Sequence, residues 1–211
     1  LKDRAFVGMG ATVLDRAVIE EGGVLGAGSL LTPGKVEWAK NDFVGAPTGI
    51  MDQSASLLGT PDHAVLLDCR SLDTESVPLG FREAGLTILV IDTGVKHEHA
   101  TGGYGERRAS CEKAALLMGV PALRDLSVDD LGRAEDKLSN ETFRRLRHVV
   151  TENQRVLDTV AALRANDHAA LGALLDASHR SMRDDFEIST PELDLAVATF
   201  AAGDVSVLID P

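Results

Sequence analysis

The chain has 211 residues, 44% of them hydrophobic and 26% charged, with a formal net charge of −12. That length can bury a substantial core in one large or two small domains. The acidic balance, with no Lys/Arg cluster interleaved with aromatics, argues against a nucleic-acid partner, and no run of about 18 apolar residues predicts a membrane span. The opening Leu1-Lys2-Asp3-Arg4 has no initiating Met and no basic segment followed by an apolar one. It therefore reads as a cytoplasmic chain without a secretory signal, whose true start lies elsewhere. Cys69 and Cys111 are the two cysteines; two thiols at this spacing form neither a zinc motif nor a disulfide framework.

The first element is a six-residue rhythm. Val7, Val13, Ile19, Leu25 and Leu31 are aliphatic, and Ala5, Ala11, Ala17, Gly23 and Ser29 are small. This phase predicts a left-handed β-helix-like N-terminal fragment over residues 1–37, the aliphatic side chain filling the inside and the small one permitting the corner. Through Val7 to Asp15 and Leu25 to Leu30 it resembles the hexapeptide-repeat proteins of the γ-class carbonic anhydrase-like family. Such families bind zinc through histidines, but the six histidines here all lie outside the repeat, so no metal site carries over. Fewer than two coils leave both stacking faces uncovered, and the segment is expected to be poorly ordered or to pack as a β-arch. Trp38 and Ala39 mark a change of grammar, read as a fusion or assembly join between residues 1–37 and 38–211.

Next comes Phe43-Val44-Gly45-Ala46-Pro47-Thr48-Gly49-Ile50-Met51-Asp52-Gln53, a Gly- and Pro-punctuated loop that presents Asp52 just ahead of a small-residue helix start, Ser54-Ala55-Ser56. Ala64 to Asp68 reads as a short strand, with another near Ser76 to Leu79. Leu86 to Asp92 is apolar but for Thr87 and its last residue and rich in β-branched side chains, which predicts a central strand. A loop from His97 to Gly105 leads into a helix from Glu106 to Leu117, stopped at Val120-Pro121. Glu141 to Asn166 spaces Phe143, Leu146, Val149, Val150, Val156, Leu157, Val160 and Leu163 as one face of a long amphipathic helix. Asp167 to Asp184 repeats the pattern. Ser189-Thr190-Pro191-Glu192 starts a further helix with a hydroxyl cap and a proline in the first turn, and Val205 to Asp210 reads as a strand.

The Gly49-Ile50-Met51-Asp52-Gln53 segment, together with Gly102-Gly103-Tyr104-Gly105-Glu106-Arg107-Arg108, resembles galactokinase, of the GHMP family of small-molecule kinases. The resemblance runs from about Asn41 to about Asp194. It implies an α+β chain with a partial GHMP-kinase fold, truncated, whose parent phosphorylates galactose at the C1 hydroxyl with ATP and Mg²⁺. It further implies that Asp52 is the base or orienting carboxylate at the attacking hydroxyl. Gly49 stands where the backbone approaches the sugar, and Tyr104, the single tyrosine of the chain, where the family presents a phenol to galactose. The bland alternatives are a helix-capping aspartate, a turn glycine and a surface tyrosine.

Several departures bear on activity. Phosphoryl transfer needs a phosphate-cradling loop and a held Mg²⁺. The family's phosphate loop lies upstream of the Asp52 run, where this chain has its hexapeptide rhythm. Lys40 replaces the family's Mg²⁺-binding glutamate. The early sugar-binding segment and the C-terminal glycine-rich motif are absent. The chain alone is therefore expected to be inactive, without cofactor-binding or metal residues of its own. The rival readings are a non-catalytic sugar-binding or regulatory module and a hexapeptide-repeat assembly protein, with the oligomeric state open.

Overall fold

A computed structural model describes residues 6–7, 12–13, 24–25, 30–31, 51–91, 93 and 103–201. The chain divides into two compact units, Leu1–Pro78 and Leu79–Pro211. Among the described residues it is mostly helical, with a small antiparallel sheet. The join expected at 37/38 and the tail strand expected from Val205 lie outside the described residues.

In the first unit, β1 (Phe6–Val7) runs parallel to β3 (Val24–Leu25), and β2 (Thr12–Val13) parallel to β4 (Leu30–Leu31). Phe6 faces Val24 and Thr12 faces Leu30, an offset of 18 residues in both pairs. Helix α1 (Met51–Leu58) follows. It starts earlier than the small residues at 54–56 suggest, so Asp52 lies inside its first turn and not ahead of it. Gly59 ends it. Its N–H donates to the Ala55 carbonyl at 2.9 Å, and a β-carbon on Gly59 would stand 2.5 Å from that same oxygen, so the stop requires glycine. Strands β5 (His63–Leu67) and β6 (Thr74–Pro78) pair antiparallel, His63 opposite Pro78 and Leu67 opposite Thr74. Asp68 builds their turn, its Oδ1 accepting from the N–H groups of Arg70 (2.8 Å) and Ser71 (3.1 Å). Val77 is the buried side chain of this hairpin.

The second unit begins with a turn in which Phe81 meets the His168 ring, 5.9 Å between centroids. The predicted central strand at 86–92 does not form in its described part: residues 86–91 carry no strand pairing, and Ile88, Leu89 and Val90 are largely exposed. The composition favours a strand, but a strand also needs a neighbour to take its N–H and C=O groups. None of the described residues supplies one.

The helices fare differently because each satisfies its own backbone. Helix α2 (Gly103–Met118) buries Ala114, Ala115 and Met118, with Cys111 half-buried one turn earlier, a single face at 3.6-residue spacing. Gly119 stops it at φ +73, with its N–H on Leu116 O and that of Val120 on Ala115 O, a left-handed cap that glycine adopts without strain. Two single 3₁₀ turns, Leu123–Asp125 and Val128–Asp130, and the short helix α3 (Leu131–Lys137) lead on. Helix α4 (Asn140–Ala165) is capped by Ser139, whose oxygen accepts from the Thr142 N–H, and is closed by Asn166 in the left-handed region. Asp167 caps α5 (His168–Ser181) by accepting from the Ala170 N–H at 2.9 Å. A π-helical turn, Met182–Phe186, extends α5, and α6 (Pro191–Ala201) starts from the Thr190 hydroxyl as its sequence predicts.

The core joins α2, α3 and the first half of α4: Leu123, Leu126, Ala134, Phe143, Leu146 and Val150 close on the α2 face. Leu146 is fully buried at its centre. The amphipathic stripe predicted for α4 holds at both ends of the helix and fails in the middle, where Val156 and Leu157 are exposed.

Candidate functional site

The residues singled out in the sequence fall on two turns, each described within its own unit. Asp52 is the second residue of α1, in a first turn whose free N–H groups favour an acidic residue. Tyr104 is the second residue of α2. The sequence places it in the loop running to Gly105; the helix instead begins at Gly103, because first-turn residues need no intrahelical donor bond and tolerate glycine on either side. Gly49 and Lys40 lie outside the described residues, as do His97 and His99.

What the structure builds around the Tyr104 helix is a charged clasp. Arg144, Arg145, Arg147 and His148 project from one side of α4 onto the π turn and Glu187. Asp185 is buried and takes Arg147 in a two-pronged pair, Nε to Oδ2 at 3.0 Å and Nη2 to Oδ1. Arg144 Nη1 donates to the Asp184 carbonyl and to Glu187 Oε1, both at 2.8 Å. Arg145, itself buried, donates to the Asp185 carbonyl and to Glu187 Oε2. Arg107, from the second turn of α2, donates through Nε to the Phe186 carbonyl at 2.7 Å and through Nη2 to the Glu187 carbonyl.

This network explains a backbone that would otherwise be unfavourable. The π turn leaves widened backbone bonds, and Glu187 sits at φ +56, a left-handed conformation uncommon outside glycine. Its carboxylate is held by Arg144 and Arg145 and its carbonyl by Arg107, so three side chains fix one strained residue. The hydrogen bonds from Arg144 and then Arg145 keep the Glu187 carboxyl below the usual carboxylate range. Burial, and then the charge of Arg145, lower the Arg107 guanidinium from its ordinary value. Phe186 stacks on His148 at 4.3 Å and 19°, and His148 Nδ1 meets Ser181 Oγ at 2.9 Å. Burial first, and then the charge of Arg155, lower His148 to about 4, so it is neutral in the folded chain near pH 7.

Sequence reading passed over this clasp, although its signal was present as two complementary runs, Arg144-Arg145-Leu146-Arg147-His148 and Asp184-Asp185-Phe186-Glu187. Three guanidinium groups meet two carboxylates there and a fourth, that of Arg107, meets two backbone carbonyls, within a chain of net charge −12. Among the described residues no group of three or more His, Cys, Asp or Glu could hold a metal ion. His179 pairs with Asp194 at 3.0 Å, and Asp194 also accepts from Ser189 at 2.7 Å. An open groove of about 560 Å³ between α4 and α5 is lined mainly by alanines. No described helix is long and apolar enough to cross a membrane.

No protein-family model matches the chain. It is homologous to galactokinases: 52% identical over 166 residues to that of Streptomyces coelicolor, covering 78% of this chain and 43% of the relative. The Mannheimia succiniciproducens galactokinase is 49% identical over 162 residues, covering 75% of this chain and 41% of the relative. The human galactokinase is 46% identical over 159 residues, covering 75% and 40%. Among solved structures, Lactococcus lactis galactokinase complexed with galactose aligns with a TM-score of 0.73 at 31% identity, covering 78% of this chain and 43% of that one. The chain thus spans less than half the length of these relatives. The hexapeptide-repeat fragment finds no support among them.

Proposed function

We propose that this chain carries the central part of a galactokinase, whose parent transfers the γ-phosphate of ATP to the C1 hydroxyl of galactose. The observation that carries this reading is 52% identity to a galactokinase over 78% of the chain, joined to a structural neighbour complexed with galactose. Asp52 orients or deprotonates the attacking hydroxyl from the first turn of α1. Tyr104, from the first turn of α2, and Gly49 contact the sugar ring. The parent's ATP and Mg²⁺ supply charge neutralisation over the phosphates. Because the Gly-rich phosphate loop and the Mg²⁺-binding acid have no counterpart in the residues upstream of Asp52, where Lys40 takes the acid's position, the chain alone binds galactose weakly and does not turn it over. The reading includes a cytoplasmic location.

A second reading concerns residues 1–37. A left-handed β-helix returns to the same face after three six-residue units, and the 18-residue offset of β1 to β3 and of β2 to β4 supports such a fragment. An assembly role for it is the weaker alternative.

Galactose titration and an ATP-coupled turnover assay on the 211-residue chain test the main reading. The expected result is weak galactose binding, lost in Tyr104→Ala, with no product formed. Turnover by this chain would overturn its inactivity, and galactose binding indifferent to Tyr104→Ala would overturn the sugar site.

A further inference from the structure

The first turn of α2 has a feature that homology alone does not explain. A β-carbon built on Gly103 would stand 2.9 Å from Arg107 Nη1 and 3.8 Å from its Cζ. The guanidinium therefore lies directly over the residue that precedes Tyr104. Such a clash is ordinarily relieved by moving a flexible side chain. Here that end is not free, because its other nitrogens donate to the carbonyls of Phe186 and Glu187, and Glu187 is itself held by Arg144 and Arg145. One planar group thus bridges the start of α2 to the rigid π turn. An α-helix start otherwise frays, having no intrahelical acceptors for its first N–H groups.

We propose that Arg107 is a positioning residue for the sugar site: with Gly103 leaving room for it, it locks the helix turn that carries Tyr104 to the Phe186-Glu187 backbone. A lysine cannot reproduce this, since it offers a point charge where the planar fork reaches two carbonyls at once. The proposal rests on the reading that Tyr104 meets galactose, and the experiment separates the two.

The 211-residue chain is labelled with 3-fluorotyrosine, which marks Tyr104 alone because it is the single tyrosine. Fluorine NMR then gives one resonance. Without sugar, the line is expected away from the position of the free amino acid. Arg107→Ala shifts it towards that position, Gly103→Ala does the same, Arg107→Lys moves it part of the way, and Arg133→Ala, which removes an exposed ion pair with Asp130, leaves it in place. With galactose, the wild-type line moves on titration, and Arg107→Ala weakens the apparent affinity by about tenfold, as expected for losing charge-assisted hydrogen bonds. A purely structural role would lower the thermal midpoint and leave the line unmoved in both Arg107 variants, which would overturn the proposal. A wild-type line indifferent to galactose would sink the sugar-contact reading, while the sugar-free shifts still decide whether Arg107 fixes the turn. Should Arg107→Ala fail to fold by circular dichroism, Arg107→Lys and Gly103→Ala decide the matter: a wild-type line position in both overturns the positioning role, and a shifted line in both supports it.

Discussion

Helix α4 and the run 86–91 are comparably apolar along one stretch, yet one organises the second unit and the other lies exposed. Leu146 is wholly buried, whereas Val90 is 87% exposed. The difference lies in where the backbone hydrogen bonds go. A helix pairs its own N–H and C=O groups and needs a neighbour only for its side chains; a strand needs a neighbour for its backbone as well. Apolar sequence therefore predicts the helix outright, but predicts the strand only on condition that a partner is present. The hairpin β5–β6 meets that condition because a short turn built on Asp68 brings its partner back.

The largest expected effect lies at the centre of the helical core. Leu146→Ala should cost on the order of 2–5 kcal/mol in urea unfolding, through lost burial and the cavity left behind; a loss under about 1 kcal/mol would mean that α2, α3 and α4 do not share one core. Next, Arg145→Ala strands the Asp185 carbonyl and one prong of Glu187 and should cost about 2–3 kcal/mol. Amide exchange should rise at 182–188 before it rises in α2; uniform loss of protection would contradict a local clasp.

His148 provides a pH test. Its folded value, about 4, lies below the ordinary 6.5, so below pH 6.5 the unfolded chain binds the extra proton. Stability from this group is complete above about pH 6.5 and is lost as pH falls through about 4, on the order of 3 kcal/mol in all. Urea unfolding at stepped pH should show this slope, and His148→Gln should flatten it. The smallest effect belongs to the exposed run: Val90→Thr should change stability by less than about 0.5 kcal/mol. A larger loss would show that the run is covered in solution and would weaken the contrast drawn with α4.

The candidate site was legible unevenly. Asp52 and Tyr104 stand out from short motifs, and the structure adds that each lies in the first turn of a helix. The clasp behind Tyr104 does not stand out in the same way. Its pairs join residues about 40 apart in sequence for the arginines of α4 and about 80 apart for Arg107, and no periodicity links Arg107 to the carbonyl of Phe186.

The sequence by itself determined the long helices of the second unit and the hydroxyl start of α6 at Thr190, because these depend on periodicity and on bonds within a few residues; the caps at Ser139 and Asp167, the stop at Gly119 and the short helix α3 came from the structure. It also determined the likeness to galactokinases, which is carried by contiguous runs. Only the tertiary structure decided that 86–91 stays unpaired among the described residues, that Val156 and Leu157 on the apolar face of α4 are exposed, and that three arginines converge on Glu187. Each of those outcomes depends on what a distant segment brings to meet the residue, and local composition holds no record of it.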